Sequence, residues 1–231
     1  MLQFLALLAL SLIPVAFWFW FFERLDPDPE PRRLLLRTFF YGAMAFVLAA
    51  LFEFSLRSFF SSLIVLYALS GIIEEAVKYL AASTIYRDKH FDLPSDGLVY
   101  AATAALGFAF LENLLYGLRY GLEVALLRGV LTTLGHVLFA MPWGFAMAVK
   151  KFEGKRGVIQ RWLGLSMVLH AAFNLVLLQQ FSVWMVVPMA LLLLVMILLT
   201  RNFYRMTELP LNDSRHRQQK VSPRTDALGE P

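Results

Sequence analysis

The sequence predicts an all-α, polytopic membrane protein: a helix bundle of about seven transmembrane helices with its N-terminus outside and its C-terminus in the cytoplasm. Three observations lead there. Of the 231 residues 59% are hydrophobic and only 16% charged, against about 45–50% and about 25% in soluble domains. Apolar runs long enough to cross a ~30 Å hydrocarbon layer recur seven times along the chain. The basic residues fall between those runs in strict alternation. Such a composition excludes a disordered chain, which needs low hydrophobicity and high net charge. The net charge of +4 is accounted for by the membrane surface, with no call on nucleic acid. There is no cysteine, so disulfides, thiolate nucleophiles and Cys-ligated metals are ruled out.

The spans run at Leu2–Phe22, Thr38–Leu56, Leu63–Tyr86, Gly97–Leu118, Val124–Val149, Val158–Leu178 and Val183–Thr200. The first lacks the basic flank that precedes a signal peptide's apolar stretch, so it reads as retained. The segment after it, Asp26–Pro31, alternates prolines that fix φ and remove donors, and so reads as a stiff connector. Of the 21 Lys and Arg, 17 follow odd-numbered spans, among them Arg24, Arg32, Arg33, Arg37, Arg87, Lys89, Lys150, Lys151 and Lys155. Only Arg57, Arg119 and Arg128 follow even-numbered ones. By the positive-inside rule the odd turns and the tail face the cytoplasm. Residues 1–208 form the bundle, and 209–231, polar and aperiodic, form a disordered cytoplasmic tail. A multi-pass membrane protein follows, with the lipid bilayer as its surroundings.

Within this apolar background several polar residues are out of place. The third span carries Glu74, Glu75 and Lys78; the fourth Glu112 and Asn113; the fifth His136; the sixth His170 and Asn174. A charge near the bilayer centre costs about 2.5–3.5 kcal/mol, so the set costs on the order of 10 kcal/mol or more. At 1.5 Å per residue, Glu75, Glu112, His136, His170 and Asn174 lie ~13–22 Å above the cytoplasmic edge, within a slab roughly 10 Å thick. One buried polar site built by spans three to six is the economical reading. His170 and Asn174 share a helix face, as do Glu74 and Lys78, Glu112 and Tyr116, and Thr132 and His136. The expectation is that Lys78 neutralises Glu74 and leaves Glu75 turned into a cavity. Glu53–Arg57 and Glu123–Arg128, at span ends, read as rim pairs, and the Phe-rich stretches as lipid-facing.

Carboxylates, imidazoles and an amide in a dry cavity suit hydrolysis. A carboxylate can activate water, and His170 and Asn174 can donate to a developing oxyanion. Alternatively His136, His170 and one glutamate, Glu112 by this reading, could hold zinc with a position left open for water. The spans contain no aspartate, so a two-aspartate site is excluded, and no HExxH occurs. A Ser166–His170 dyad would leave the carboxylates unexplained. Buried Glu, His and Lys also serve proton- or cation-coupled transporters, although no inverted repeat is visible beyond H-x-x-F at His136–Phe139 and His170–Phe173. A helix-binding scaffold without catalysis is a third reading.

Four segments, GIIEEAVK (Gly71–Lys78), FAFLENLLYG (Phe108–Gly117), LGHVLFAMPWG (Leu134–Gly144) and LHAAFN (Leu169–Asn174), resemble in content and order the PrsW family of bacterial membrane proteases, distant relatives of the CAAX prenyl-protease and bacteriocin-processing clan. The resemblance spans about 100 residues. It implies a glutamate-dependent endopeptidase acting on a single-span membrane protein, with the first cut of a membrane-anchored anti-sigma factor in envelope stress as the best-known case. It places catalytic residues at Glu74, Glu75, Glu112, His136, His170 and Asn174, with Lys78, Asn113 and Phe108 in support. It leaves open whether a metal takes part.

Overall fold

A computed structural model of the chain describes residues 1–178, apart from Leu25 and Pro27, and scattered positions between 190 and 205. Six helices make up the described part: α1 (Leu2–Arg24), α2 (Arg32–Leu56), α3 (Leu63–Ser83), α4 (Asp96–Tyr120), α5 (Leu122–Glu153) and α6 (Val158–Leu178). They correspond to the first six expected spans, α5 running a few residues further at both ends. The expected span Val183–Thr200 lies for the most part outside the described residues, and the expected tail, 209–231, wholly so. Five of the six helices are long and apolar enough to cross a membrane. The exception is α3, whose every 18-residue stretch includes Glu74, Glu75 and Lys78; all three are buried inside the protein.

The bundle is organised around α4, which is buried without a break from Asp96 to Ala109. Its small residues, among them Ala101, Ala102, Ala104, Ala105 and Gly107, let neighbouring backbones come close, the usual device where lipid supplies no hydrophobic drive between helices. Helix α4 packs on α5, α2 and α1, while α3 fills the space between α6 and α2. The first helix turns a broad apolar face outward through Phe4, Leu5, Ile13 and Phe17, as a lipid-exposed helix should.

Two glycines set the geometry that the site needs. Gly121 alone separates α4 from α5, at φ +94° and ψ −179°, a conformation open in practice to glycine only. The two helices therefore double back at once, and the end of α4 lies beside the start of α5. At Gly71 a Cβ would sit 2.5 Å from the Ala171 nitrogen and 2.8 Å from the His170 carbonyl carbon. Its absence brings α3 against α6 at the level of His170.

The first, third and fifth turns meet at one end of the bundle. The Ser95 hydroxyl donates to Asp26, the Tyr100 hydroxyl to Glu30, and Lys151 Nζ to the Tyr86 and Asp88 carbonyls at 3.0 and 3.3 Å. The alternation expected from the basic residues needs this arrangement.

Candidate active site

The polar residues of α3, α4, α5 and α6 converge. Glu74 and Glu75 are successive in α3 and lie about 100° apart around it, so they address different neighbours. Glu75 is fully buried and fully used. Its Oε1 accepts from Lys78 Nζ at 2.7 Å and from His170 Nδ1 at 2.8 Å, and its Oε2 accepts from the Trp143 indole N–H at 2.8 Å. Glu112 is used in the same way. Its Oε2 accepts from His136 Nε2 at 2.7 Å and pairs with Arg128 Nη2 at 2.8 Å.

Glu74 is different. Its Oε2 is buried and has no hydrogen-bond partner. Around it stand Lys78 Nζ at 3.7 Å, His136 Nδ1 at 3.8 Å and His170 Nε2 at 3.5 Å. The expected division between the two glutamates is therefore reversed: Lys78 binds Glu75 closely, and Glu74 keeps the free oxygen. The reason is local. Lys78 contacts Glu75 one turn away at i,i+3, and the aromatic ring of Phe108 lies 4.5 Å from its ammonium, steering it to that side.

Hydrogen-bond chemistry assigns both imidazoles. Lysine can only donate, and Lys78 Nζ lies 3.0 Å from His136 Nδ1. Nδ1 is thus an acceptor, and Nε2–H donates to Glu112. For His170, Nδ1–H donates to Glu75, which leaves the Nε2 lone pair directed toward Glu74. Each imidazole is oriented by a carboxylate on its far nitrogen, an arrangement that fixes the tautomer in metal sites. The rings lie edge to face at 5.2 Å, and Phe139 stacks on His170 at 4.7 Å.

Of the three carboxylates in this network, Glu75 and Glu112 hold close ion pairs with Lys78 and Arg128, and Glu74 has only the longer 3.7 Å approach to Lys78. The His170 Nε2 lone pair, His136 Nδ1 (which accepts from Lys78) and a Glu74 oxygen lie within 4.8 Å of one another; once Lys78 turns away, this donor set suits a zinc-type cation, which favours His and carboxylate donors and three protein ligands when catalytic. The group is Glu74, His136 and His170. Glu112, expected among the metal ligands, stands behind His136 instead.

The remaining expected residues sit around this centre. Phe108 lies against both Lys78 and His136, the latter at 5.5 Å. Asn113 is fully buried, donates to Thr133 Oγ1 at 2.9 Å and accepts from Thr132 Oγ1 at 2.9 Å. Asn174 is only half-buried and donates to Ser70 Oγ at 3.0 Å, away from the Glu–His centre. The Ser166 hydroxyl is buried without a partner, so no Ser166–His170 pair forms.

Two functional residues escaped the sequence reading. Arg128, expected at the rim with Glu123, instead reaches inward: besides its bridge to Glu112, its Nε donates to Asn113 Oδ1 at 3.3 Å and its guanidinium lies over Tyr116 at 3.8 Å. Trp143 supplies the third donor to Glu75. Their signal was a stripe. Arg128, Thr132, His136, Phe139 and Trp143 recur on α5 every three or four residues and share the face that carries His136.

Residues 30–200 match a family described as PrsW family intramembrane metalloprotease. The chain is 33% identical to Protease PrsW of Bacillus subtilis (strain 168) over 162 residues, which cover 65% of this chain and 72% of that protein. It is 30% identical to Protease PrsW of Clostridioides difficile (strain 630) over 201 residues, 79% of this chain and 83% of that one. The Geobacillus kaustophilus (strain HTA426) Protease PrsW is 32% identical over 157 residues, 65% and 70% of the two chains. No solved structure matches the chain significantly.

Proposed function

This chain belongs to the PrsW family of intramembrane metalloproteases, multi-pass membrane hydrolases, and we propose that it hydrolyses peptide bonds of membrane-anchored proteins through a glutamate-dependent centre at Glu74, His136 and His170. The observation that carries the reading is the buried Glu74 oxygen without a hydrogen-bond partner, facing the open His170 Nε2 lone pair and the oriented His136 ring.

The chain's own groups divide the work. Glu75 and Glu112 accept the far N–H of His170 and His136 and hold both rings in place. Glu74, whose buried Oε2 has no hydrogen-bond partner, takes the proton of the attacking water as its oxygen bonds to the scissile carbonyl carbon. When the C–N bond breaks, the same carboxyl returns that proton to the leaving nitrogen. Glu74, His136 and His170 would hold a metal once Lys78 leaves His136 Nδ1; a zinc-type ion there would polarise the carbonyl and lower the pKa of water, with Glu74 then acting as ligand in place of base. Lys78 and the Trp143 indole engage both Glu75 oxygens and so keep a second free carboxylate out of the centre. We place the N-terminus outside and the odd turns in the cytoplasm of a bacterial inner membrane. The family resemblance supports a single-span protein as substrate, an anti-sigma factor in envelope stress being the leading candidate.

The test is proteolysis by the full chain in proteoliposomes, with a panel of single-span membrane proteins that includes anti-sigma factors, alongside metal analysis. Glu74→Gln, His136→Ala and His170→Ala should each abolish cleavage and lower bound metal, with the parent giving about one equivalent. Full cleavage by Glu74→Gln would overturn the assignment of the centre.

A further inference from the structure

A second cluster of acidic groups lies at the end of the bundle where the first and third turns meet. Asp26 and Glu30, from the proline-rich connector between α1 and α2, stand with Asp96, the first residue of α4. All three are buried, at 7%, 6% and 0% exposure, and each offers an oxygen within 4.8 Å of the others. None of them makes an ion pair with Lys, Arg or His among the described residues. Against the three carboxylates stand the N-terminus of α4, worth roughly half a positive charge, and Lys151, which acts on Asp96 and Glu30 through space without a direct ion pair.

The contacts these groups do make leave one oxygen over. Asp96 accepts from the Leu93 amide at 2.6 Å and from the Ser95 hydroxyl at 3.4 Å. Glu30 accepts from the Tyr100 hydroxyl. Asp26 Oδ1 accepts from the Asp28 amide and Ser95 Oγ, each at 3.4 Å, but its Oδ2 is buried with no partner. A buried carboxylate oxygen without a donor normally signals an ion or water that completes it.

We propose that Asp26, Glu30 and Asp96 form a binding site for a hard divalent cation of the Mg2+ or Ca2+ kind, separate from the Glu–His centre. The donors are all oxygen, with no imidazole in the set, and carboxylate oxygens select these cations over zinc-type ones. A cation there ties the stiff connector to the start of α4, the helix that carries Glu112 and Asn113 to the catalytic centre.

Terbium tests this, because the Tyr100 ring next to Glu30 can transfer excitation to a bound Tb3+. The full chain in detergent should show saturable Tb3+ emission that Ca2+ or Mg2+ displaces, the two competitors separating the two ions. Asp26→Asn and Asp96→Asn should weaken Tb3+ by about tenfold or more through loss of a charged ligand, whereas Glu74→Gln should leave it unchanged. Absence of saturable binding, binding that survives both Asn substitutions, or binding lost in Glu74→Gln would each overturn the site. Should the Asn variants fail to fold, thermal unfolding of the parent decides: millimolar Ca2+ or Mg2+ raises Tm and EDTA reverses it, and a Tm indifferent to both sinks the proposal.

Discussion

Replacing Arg128 by methionine removes the cation that reaches inward from the start of α5 and retains most of its stem. The structure sets the size of the effect. The Arg128 and Glu112 side chains are only 15% and 11% exposed and meet at 2.8 Å. Breaking a fully buried pair costs about 3–5 kcal/mol and a surface pair about 0–1 kcal/mol, so this nearly buried one should cost ~3 kcal/mol. Asn113 keeps Thr132 as a donor, and Tyr116 loses a guanidinium worth about 1 kcal/mol, partly offset by methionine packing on the ring. For a chain of this size each kcal/mol moves Tm by about 2–4 °C, so thermal unfolding in detergent should shift down by about 6–12 °C. Glu112→Gln alone strands Arg128 and should cost a similar amount. The double variant removes both charges, and its Gln oxygen still accepts from His136 Nε2. It should therefore be more stable than the sum of the single losses by about 2 kcal/mol, within the range of coupled neighbours. A coupling below about 0.5 kcal/mol, the scatter of independent sites, would show that Arg128 does not serve Glu112 and would refute its inward placement.

Glu74→Gln and Glu75→Gln should part company. The first leaves Tm level or higher, because the buried Glu74 oxygen has no hydrogen bond to lose, and lowers cleavage by at least about 10²-fold, the weight of a general base; the second lowers Tm as well, because Lys78 loses its closest anion. A Tm that falls equally in both would contradict the reversal seen between them. Trp143→Phe deletes one charge-assisted hydrogen bond to Glu75 and should destabilise by about 1.5–3 kcal/mol, read by the same unfolding assay; no loss would mean that the indole does not hold the carboxylate. Gly71→Ala should cost about 1–3 kcal/mol through overpacking against α6 and weaken metal uptake at the Glu–His centre, since His170 moves away from Glu74; unchanged metal affinity by equilibrium dialysis would argue against the close approach.

Much of this protein was legible along the chain. Polar groups are expensive in hydrocarbon, so Glu74, Glu75, Glu112, His136 and His170 announced themselves by being there at all, and the helical rise put them at one depth. Local periodicity could say which residues share a helix face. It could not say how far a long side chain reaches. Arg128 sits where a span begins and looked like a rim residue, yet its flexible stem carries the guanidinium inward to Glu112. Asn174 shares a face with His170 but bonds Ser70 instead.

The sequence by itself determined that the chain spans a membrane as helices and which residue types meet in its interior, because both follow from the cost of burying charge and from 3.6 residues per turn. Tertiary structure alone decided which glutamate keeps a free oxygen. Lys78 can reach either Glu74 or Glu75 from its own helix. The choice was made by groups from other helices: Phe108 under the ammonium, Trp143 and His170 on Glu75, and the Gly71 contact that brings His170 within reach. The same holds for Asp26, Glu30 and Asp96, which lie some 70 residues apart along the chain and become one cluster only when the first and third turns close on each other.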